Sequence, residues 1–389
     1  MEFIFSLIVF ILILGTLVLI HEFGHFIVAK WCGVYVEEFG FGFPPRVWGK
    51  KIGETLYSLN LLPIGGFVKV YGEEYEETLQ KTYDKKLKDR TFVYKAPYQK
   101  AAIVVAGVIM NIILGVCIYY ALLASNGFKS EVLPLFENAS FAFGRAETHV
   151  VVGGIVKDSP AAKAGITTEE MVRSFAKPGR ELVPIKNADE LISVIKMSEN
   201  QKIRINLQNI KTGVSKQVEL VPLMNKDVGR PVIGVNLVDA VIINYDTNAV
   251  DRIFSGFMHA YNLSVYNFQT LGHLIAQSVS DRSTKAISSS VAGPVGIFLI
   301  TSDLIKTSGD RALYNILSLA ALMSLSLAVM NILPFPALDG GRLVFIIYEW
   351  ITKRRVNATF ERYLNTAGFA LLLVLILFIT INDILRLIK

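Results

Sequence analysis

The sequence predicts a mainly α-helical membrane protein, with four membrane-crossing helices and a soluble α+β segment between the second and the third. Three observations carry this. Apolar runs long enough to cross about 30 Å of hydrocarbon lie at roughly 3–28, 101–124, 313–336 and 366–385. The intervening stretch, 125–312, holds no such run. The composition is 52% apolar and 19% charged, with a mean hydropathy of +0.46. That is too apolar for an ordinary soluble protein and too charged for spans alone.

The first span starts without a basic region, and no A-x-A cleavage site follows its apolar run, so it reads as a retained helix and not a signal peptide. Between Phe3 and Val28 its only ionisable residues are His21, Glu22 and His25. A charged side chain at the centre of a membrane helix costs roughly 2.5–3.5 kcal/mol on insertion scales, so an accidental cluster is disfavoured there. Positions i and i+4 of a helix differ by about 40° in azimuth and about 6 Å along the axis. His21 and His25 therefore face one way, spaced to grip a single metal ion, with Glu22 beside them to take a proton from water. In a soluble helix the same HExxH pattern often marks only a solvated face. Cys32 lies seven residues past His25, a rise of about 10 Å, too far to share the metal unless the helix breaks first. Cys117 reads as a small buried hydrophobe, and the two cysteines form no disulfide framework.

After the first span, Phe39–Pro44 is rich in glycine and phenylalanine and cannot be regular helix. Residues 54–61 and 66–71 read as two short strands around Pro63-Ile64-Gly65-Gly66. A strand edge near a metal site could hold an extended peptide by backbone hydrogen bonds; a purely structural hairpin is the alternative. Lys30, Arg46, Lys50, Lys51 and the cluster 81–90 follow span one, and Lys353, Arg354 and Arg355 follow span three. By the positive-inside rule both connections are cytoplasmic, which leaves the N-terminus, the insert and the C-terminus outside. Arg386 and Lys389 run mildly against the rule, and the acidic 73–77 stretch carries little weight in it. The net charge of +6 follows this topology, so nucleic acid is not an expected partner.

Within the insert, 251–279 reads as an amphipathic helix lying on the membrane. Residues 291–303 are apolar but short and interrupted by Gly and Pro, hence interfacial or buried. His149, His259 and His273 fall in the external part as surface or core residues. A catalytic zinc site usually has three protein ligands, so a third is needed. Span two offers only Asn111, and span four only Asp383 at its outer end. Span three closes with Asn331-Ile332-Leu333-Pro334-Phe335-Pro336-Ala337-Leu338-Asp339-Gly340-Gly341-Arg342. Its prolines disrupt helical hydrogen bonding, and Asp339 arrives at the cytoplasmic end, the depth of the histidines. Asp339 is the favoured third ligand; its position also suits an N-cap for a helix restarting at Gly340.

These motifs in this order resemble the site-2 protease family of intramembrane zinc metalloproteases, most closely its bacterial four-span, PDZ-containing group. HEFGH, FGFGFP, LLPIGGFVKVYGE, AGVIMN at 106–111, Ala292-Gly293-Pro294-Val295-Gly296 and NILPFPALDGG carry the resemblance across nearly the whole chain. It implies that His21, His25 and Asp339 bind Zn2+, that Glu22 is the general base, and that Asn331 helps hold substrate; Gly66 is a second substrate contact to expect. The expected domains are an N-terminal membrane core at 1–124, a PDZ domain at 147–223, a linker with the amphipathic helix at 224–312, and a C-terminal membrane core at 313–389. Gly153–Val156 and Asp158–Ile166 carry the PDZ likeness, but Thr167–Ile185 replaces the usual glycine-aspartate turn and following strand, so peptide binding does not follow from it. Val108 stands where the family commonly has proline. The implied activity is hydrolysis of peptide bonds in or near the span of single-span proteins, such as anti-sigma factors or remnant signal peptides, in a bacterial plasma membrane. The competing readings are a zinc-containing PDZ adaptor without proteolysis and a protease acting outside the bilayer.

Overall fold

The computed structural model describes residues 2–73, 85–136, 139–168, 170–177, 179–210, 212–225, 229–281 and 292–388. Most of the acidic 73–77 stretch and the start of the basic 81–90 cluster therefore lie outside the described residues. The chain forms two units, residues 1–122 with 259–389, and residues 123–258.

Helix α1, Glu2–Trp31, opens the first unit. Glu2 and Lys30 suit the positive and negative ends of its dipole. It stops in a Schellman motif: Gly33 takes a φ of 68°, Val34 N donates to Ala29 O and Gly33 N to Lys30 O. Two long strands follow, β1 at Val36–Ile52 and β2 at Thr55–Val70. The two short strands expected on either side of Pro63–Gly66 are instead one bent strand, and the Gly/Phe segment is itself its partner. Phe39 and Phe41 alternate with Gly40 and Gly42 at the period of a strand. Gly40 is required, since a Cβ there would lie 2.4 Å from the Phe67 ring. Bends at Gly42 (φ 85°) and Gly65 (φ 99°) fold the hairpin back, so that Glu38–Phe41 faces both Gly66–Lys69 and Leu56–Leu59. β2 turns its polar side chains inward. Thr55, Ser58 and Asn60 are buried, with Thr55 Oγ1 donating to Val36 O and Asn60 Nδ2 to Gly42 O, while Leu59, Leu61, Leu62 and Trp48 are exposed. Phe26 of α1 packs on Phe39 and Tyr57, and Lys30 and Arg90 both hold Glu54 at the hairpin turn. Helix α2, Pro97–Ser125, follows.

The second unit is built on a sheet of β3 (Leu133–Pro134), β4 (Arg145–Ile155), β5 (Glu170–Ala176), β6 (Val183–Pro184), β7 (Ile203–Asn209), β8 (Ser215–Leu220) and β11 (Val235–Asn244). Its order is β3-β11-β4-β5-β7-β8, with β6 on β5. β9 (Leu223–Asn225) and β10 (Arg230–Val232) make a separate pair, and the helices are α3 (Pro160–Lys163) and α4 (Ala188–Met197). Ser159 and Asn187 cap these helices with side-chain oxygens. Val150, Val152, Leu191, Ile203, Ile205 and Leu207 lie at the core. The sheet outruns the expected 147–223 limits: β11 falls in the expected linker yet pairs with β4 along its whole length. That pairing joins residues distant in sequence, which local pattern does not reveal.

Helix α5, Ala249–Ser280, covers the expected amphipathic stretch. Ile253, Phe254, Phe257, Phe268, Leu271 and Ile275 are exposed on it, whereas Ser255, His259 and Asn262 are buried. His259 is thus a core histidine, stacked edge-on against Tyr119, and burial pulls its imidazole down to about 4. Helix α6, Pro294–Thr307, is the short apolar segment. Its Phe298 packs on Phe3 and Phe10 of α1, so it lies against span one, with only Thr301 of the helix buried. Then come α7 (Ala312–Ile332), α8 (Asp339–Thr352) and α9 (Ala358–Ile388). Among the described residues four helices are long and apolar enough to cross a membrane: Glu2–Trp31, Pro97–Ser125, Gly309–Ile332 and Ala358–Arg386. Span three ends at Ile332 and not 336, because the backbone turns extended at Leu333 ahead of Pro334. Asp383 of α9 is no idle outer-end residue: its Oδ2 accepts from Gly293 N and Gly296 N at 2.9 and 2.8 Å and so caps α6.

Candidate metal centre

Three elements converge on one point. His21 and His25 leave α1 on one face with their Nε2 atoms 3.2 Å apart, and Asp339 is the first residue of α8. Asp339 Oδ2 lies 3.1 Å from His21 Nε2 and 3.4 Å from His25 Nε2. The N-cap of α8 is Leu338, and Asp339 makes no capping hydrogen bond, so the N-cap alternative for Asp339 falls. Among the described residues these three form the one group of His, Cys, Asp or Glu side chains able to hold a metal, their ligand atoms lying within 4.8 Å of one another. Cys32 closes α1 beyond them and is not in the group.

The donor set fits zinc. Two nitrogens bound tetrahedrally at about 2.0–2.1 Å stand about 3.3 Å apart, close to the spacing found. Asp339 Oδ2 is buried with no hydrogen-bond partner, which is costly unless a cation faces it. The outer partners also direct lone pairs inward. His25 Nδ1 is 2.8 Å from Ile103 O, which only an Nδ1–H can satisfy, so in the neutral ring the lone pair lies on Nε2. Asn111 stands 3.3 Å from His21 Nδ1, and its Oδ1 is buried without a partner. With the amide turned to face Nδ1 through its oxygen, His21 donates from Nδ1 and its Nε2 is free as well.

Glu22 points to a different neighbour. A Cβ on Gly66 would lie 3.0 Å from Glu22 Cγ and 3.3 Å from Val18 Cγ1, so β2 runs directly against the carboxylate's stem. Asn331, on the last turn of α7, brings its Nδ2 to 3.4 Å from His21 Nε2. The six residues singled out from sequence thus meet in one place: His21, His25 and Asp339 at the centre, Glu22, Gly66 and Asn331 around it.

Helix α2 contributes what sequence reasoning left out. Ile103, Gly107 and Asn111 recur every fourth residue and make one face. A Cβ on Gly107 would lie 2.4 Å from His25 Nε2 and 2.8 Å from His21 Cε1. Gly24 does the reverse for α1, where a Cβ would lie 2.4 Å from Ala106 O. The helix backbones approach closely because both residues are glycine. The recurring spacing was a readable signal, but only the contact gives it meaning.

The profile of peptidase family M50 matches residues 9–375. A relative in Clostridium perfringens, provisionally named as a zinc metalloprotease, is 31% identical over 385 residues, covering 99% of this chain and 98% of its own. A protein of Clostridium acetobutylicum with the same provisional name is 32% identical over 387 residues, covering 98% and 97%. The regulator of sigma-W protease RasP of Bacillus subtilis is 25% identical across 99% of both chains.

Proposed function

This chain belongs to peptidase family M50 and is a multi-pass membrane zinc metalloprotease of the site-2 protease type, and from that premise we propose that it hydrolyses peptide bonds within or near the transmembrane segment of single-span proteins. The observation that carries the site assignment is the buried, unpartnered Asp339 Oδ2 facing the Nε2 atoms of both imidazoles. In this reading His21, His25 and Asp339 hold the zinc. When bound, zinc supplies a Lewis acid that polarises the scissile carbonyl and acidifies water. Glu22 takes the proton of the attacking water and passes it to the leaving amine.

A substrate helix keeps its carbonyls in its own hydrogen bonds, so it must unwind before attack. Gly66–Val70 is paired on one side with Val36–Phe41, and among the described residues no strand covers its other side. An unwound segment added there would run past Gly66 and Glu22, with its backbone held as in strand addition. Asn331, 3.4 Å from His21 Nε2, is a further group in this reading that would help hold it. The lysine and arginine distribution supports a cytoplasmic-side active site with both termini outside. It also places the PDZ-like stretch outside, as a filter that rejects substrates whose external domains are untrimmed. The Bacillus relative is named for regulation of sigma-W, which fits the anti-sigma factors that the family resemblance offers as substrates.

The test compares wild type with Glu22→Gln in purified protein, reading zinc content and cleavage of a single-span reporter. Both should hold stoichiometric zinc, with cleavage reduced by about 10²–10⁴-fold in the variant. Equal cleavage by the two would remove Glu22 from its role; zinc with no cleavage of any single-span protein by either form would favour the adaptor reading.

A further inference from the structure

Lys100 is a charged side chain only 4% exposed, on the helix that supports the histidines. Its Nζ lies 2.9 Å from Glu349 Oε2 and 3.2 Å from Oε1. Glu349 sits ten residues after Asp339 on α8, about 15 Å further along the axis. On α2, Lys100 continues toward the N-terminus the face that carries Ile103, Gly107 and Asn111. One helix face therefore touches both histidines and also grips the far end of the helix whose first residue is Asp339.

The contacts in the first turn of α8 do not explain where Asp339 stands relative to the histidines. Gly340 and Gly341 pack on Leu333 O and Phe335 O, where a Cβ would lie 2.1 and 2.4 Å away, but that turn belongs to the same segment, which Ala337 N ties to Asn365 Oδ1 of α9 and not to the histidines. Arg342 pairs with Glu73, which ties the turn to the chain after β2. Glu349 to Lys100 ties α8 to α2. A helix held at one end can pivot, and a small rotation about the first turn would swing Asp339 away from His21 and His25. Anchoring both ends removes that freedom. Arg355 Nε, 3.4 Å from Glu349 Oε1, holds the same carboxylate from the other side.

We propose that Lys100 and Glu349 are positioning residues for the zinc centre, setting the approach of Asp339 to the two histidines. The bland alternative is a pair that only holds the fold together. Physical chemistry separates the two, because a buried ion pair exchanged for apolar residues of similar size is often neutral in stability. Geometry imposed by the pair is lost in that exchange.

The proposal rests on the reading that His21, His25 and Asp339 bind zinc, and the test keeps the two apart. Zinc affinity is measured by chelator competition on the full chain in detergent, beside the thermal unfolding midpoint of the zinc-free protein. The Lys100→Met/Glu349→Met double variant should unfold near the wild-type temperature but bind zinc about 10–100-fold more weakly, the usual cost of losing outer-shell support. Lys100→Arg, which keeps the pair, should recover most of that loss. Asp339→Asn serves as the control for the ligand reading. If Asp339→Asn weakens zinc and the folded double variant stays within about two-fold of wild type, positioning by this pair is wrong. If Asp339→Asn changes nothing, the ligand reading itself fails. Should the double variant not fold, Glu349→Gln takes its place: weakened zinc in the folded protein supports positioning, and wild-type zinc affinity overturns it.

Discussion

Replacing Gly107 by alanine adds one methyl group, and the structure places that methyl against the proposed metal ligands. The new Cβ would lie 2.4 Å from His25 Nε2 and 2.8 Å from both His25 Cε1 and His21 Cε1. Ordinary contact between such atoms begins near about 3.5 Å, so the rings must retreat by about 1 Å. His25 has little room to do so, because its Nδ1 is fixed at 2.8 Å on Ile103 O, one turn earlier on the same helix. Retreat gives up that hydrogen bond, about 0.5–1.5 kcal/mol, and twists the ring off its rotamer, a further ~0.5–1.5 kcal/mol. Together this is about 1–3 kcal/mol, the usual range for overpacking, and about 1.4 kcal/mol is a tenfold change in affinity. Zinc binding should weaken about 10–100-fold, and cleavage further, since about 1 Å of misplacement can cost about 100-fold in rate. The helix itself should not suffer, because alanine favours helix over glycine by about 0.8–1.0 kcal/mol. Chelator competition and reporter cleavage measure both quantities, with Gly272→Ala as control, since a Cβ there meets nothing within 4 Å. A Gly107→Ala protein with wild-type zinc affinity and cleavage would refute the close packing of α2 on the two rings.

Gly66→Val should leave zinc content intact and lower single-turnover cleavage by at least about tenfold, because its side chain would crowd Glu22 Cγ and Val18 Cγ1. Loss of zinc in that variant would instead place Gly66 among the supports of the metal. The hairpin turn carries a pH dependence. Hydrogen bonds from Arg90 and Lys30 hold the Glu54 carboxyl down to about 2, against an ordinary 4.5. A folded-state value below the unfolded one stabilises above the unfolded value, and the benefit disappears as pH falls through the folded one. Amide exchange at the base of the hairpin should therefore rise as pH drops from 4.5 toward 2. Glu54→Gln should exchange faster already at neutral pH and show no acid step of this origin; an unchanged step would assign it to another carboxylate.

What could be read from sequence divides along one physical line: whether the determining interaction is local or reaches across the chain. His21 and His25 were legible because helical spacing alone puts two imidazoles on one face. Asp339 was legible at one remove, since span counting brings it to the same depth without saying what it touches. The Gly/Phe strand escaped because its period-two signal alternates Phe39 and Phe41 with glycine, and glycine ordinarily argues against a strand. Asp383 was set aside as a ligand because depth marked it as remote from the histidines, and it is not in the metal group; its capping role was not legible. That role is to accept from Gly293 and Gly296, ninety and eighty-seven residues away. β2 shows how far the medium enters such readings. With Thr55, Ser58 and Asn60 inside and Leu59, Leu61 and Leu62 outside, the usual rule of apolar side chains inward would assign the wrong face. Buried Thr55 and Asn60 satisfy backbone carbonyls of β1, and Trp48 stands opposite Leu59 on the exposed side. An apolar surface is stable outside only where the surroundings are apolar too. The inverted strand lies in the element that brings Gly66 to Glu22. In the proposed reading, the same inversion that fits the hairpin to hydrocarbon sets its backbone edge where a helix, unwound there, lacks water for its carbonyls. A strand edge then offers that peptide hydrogen bonds that its surroundings do not.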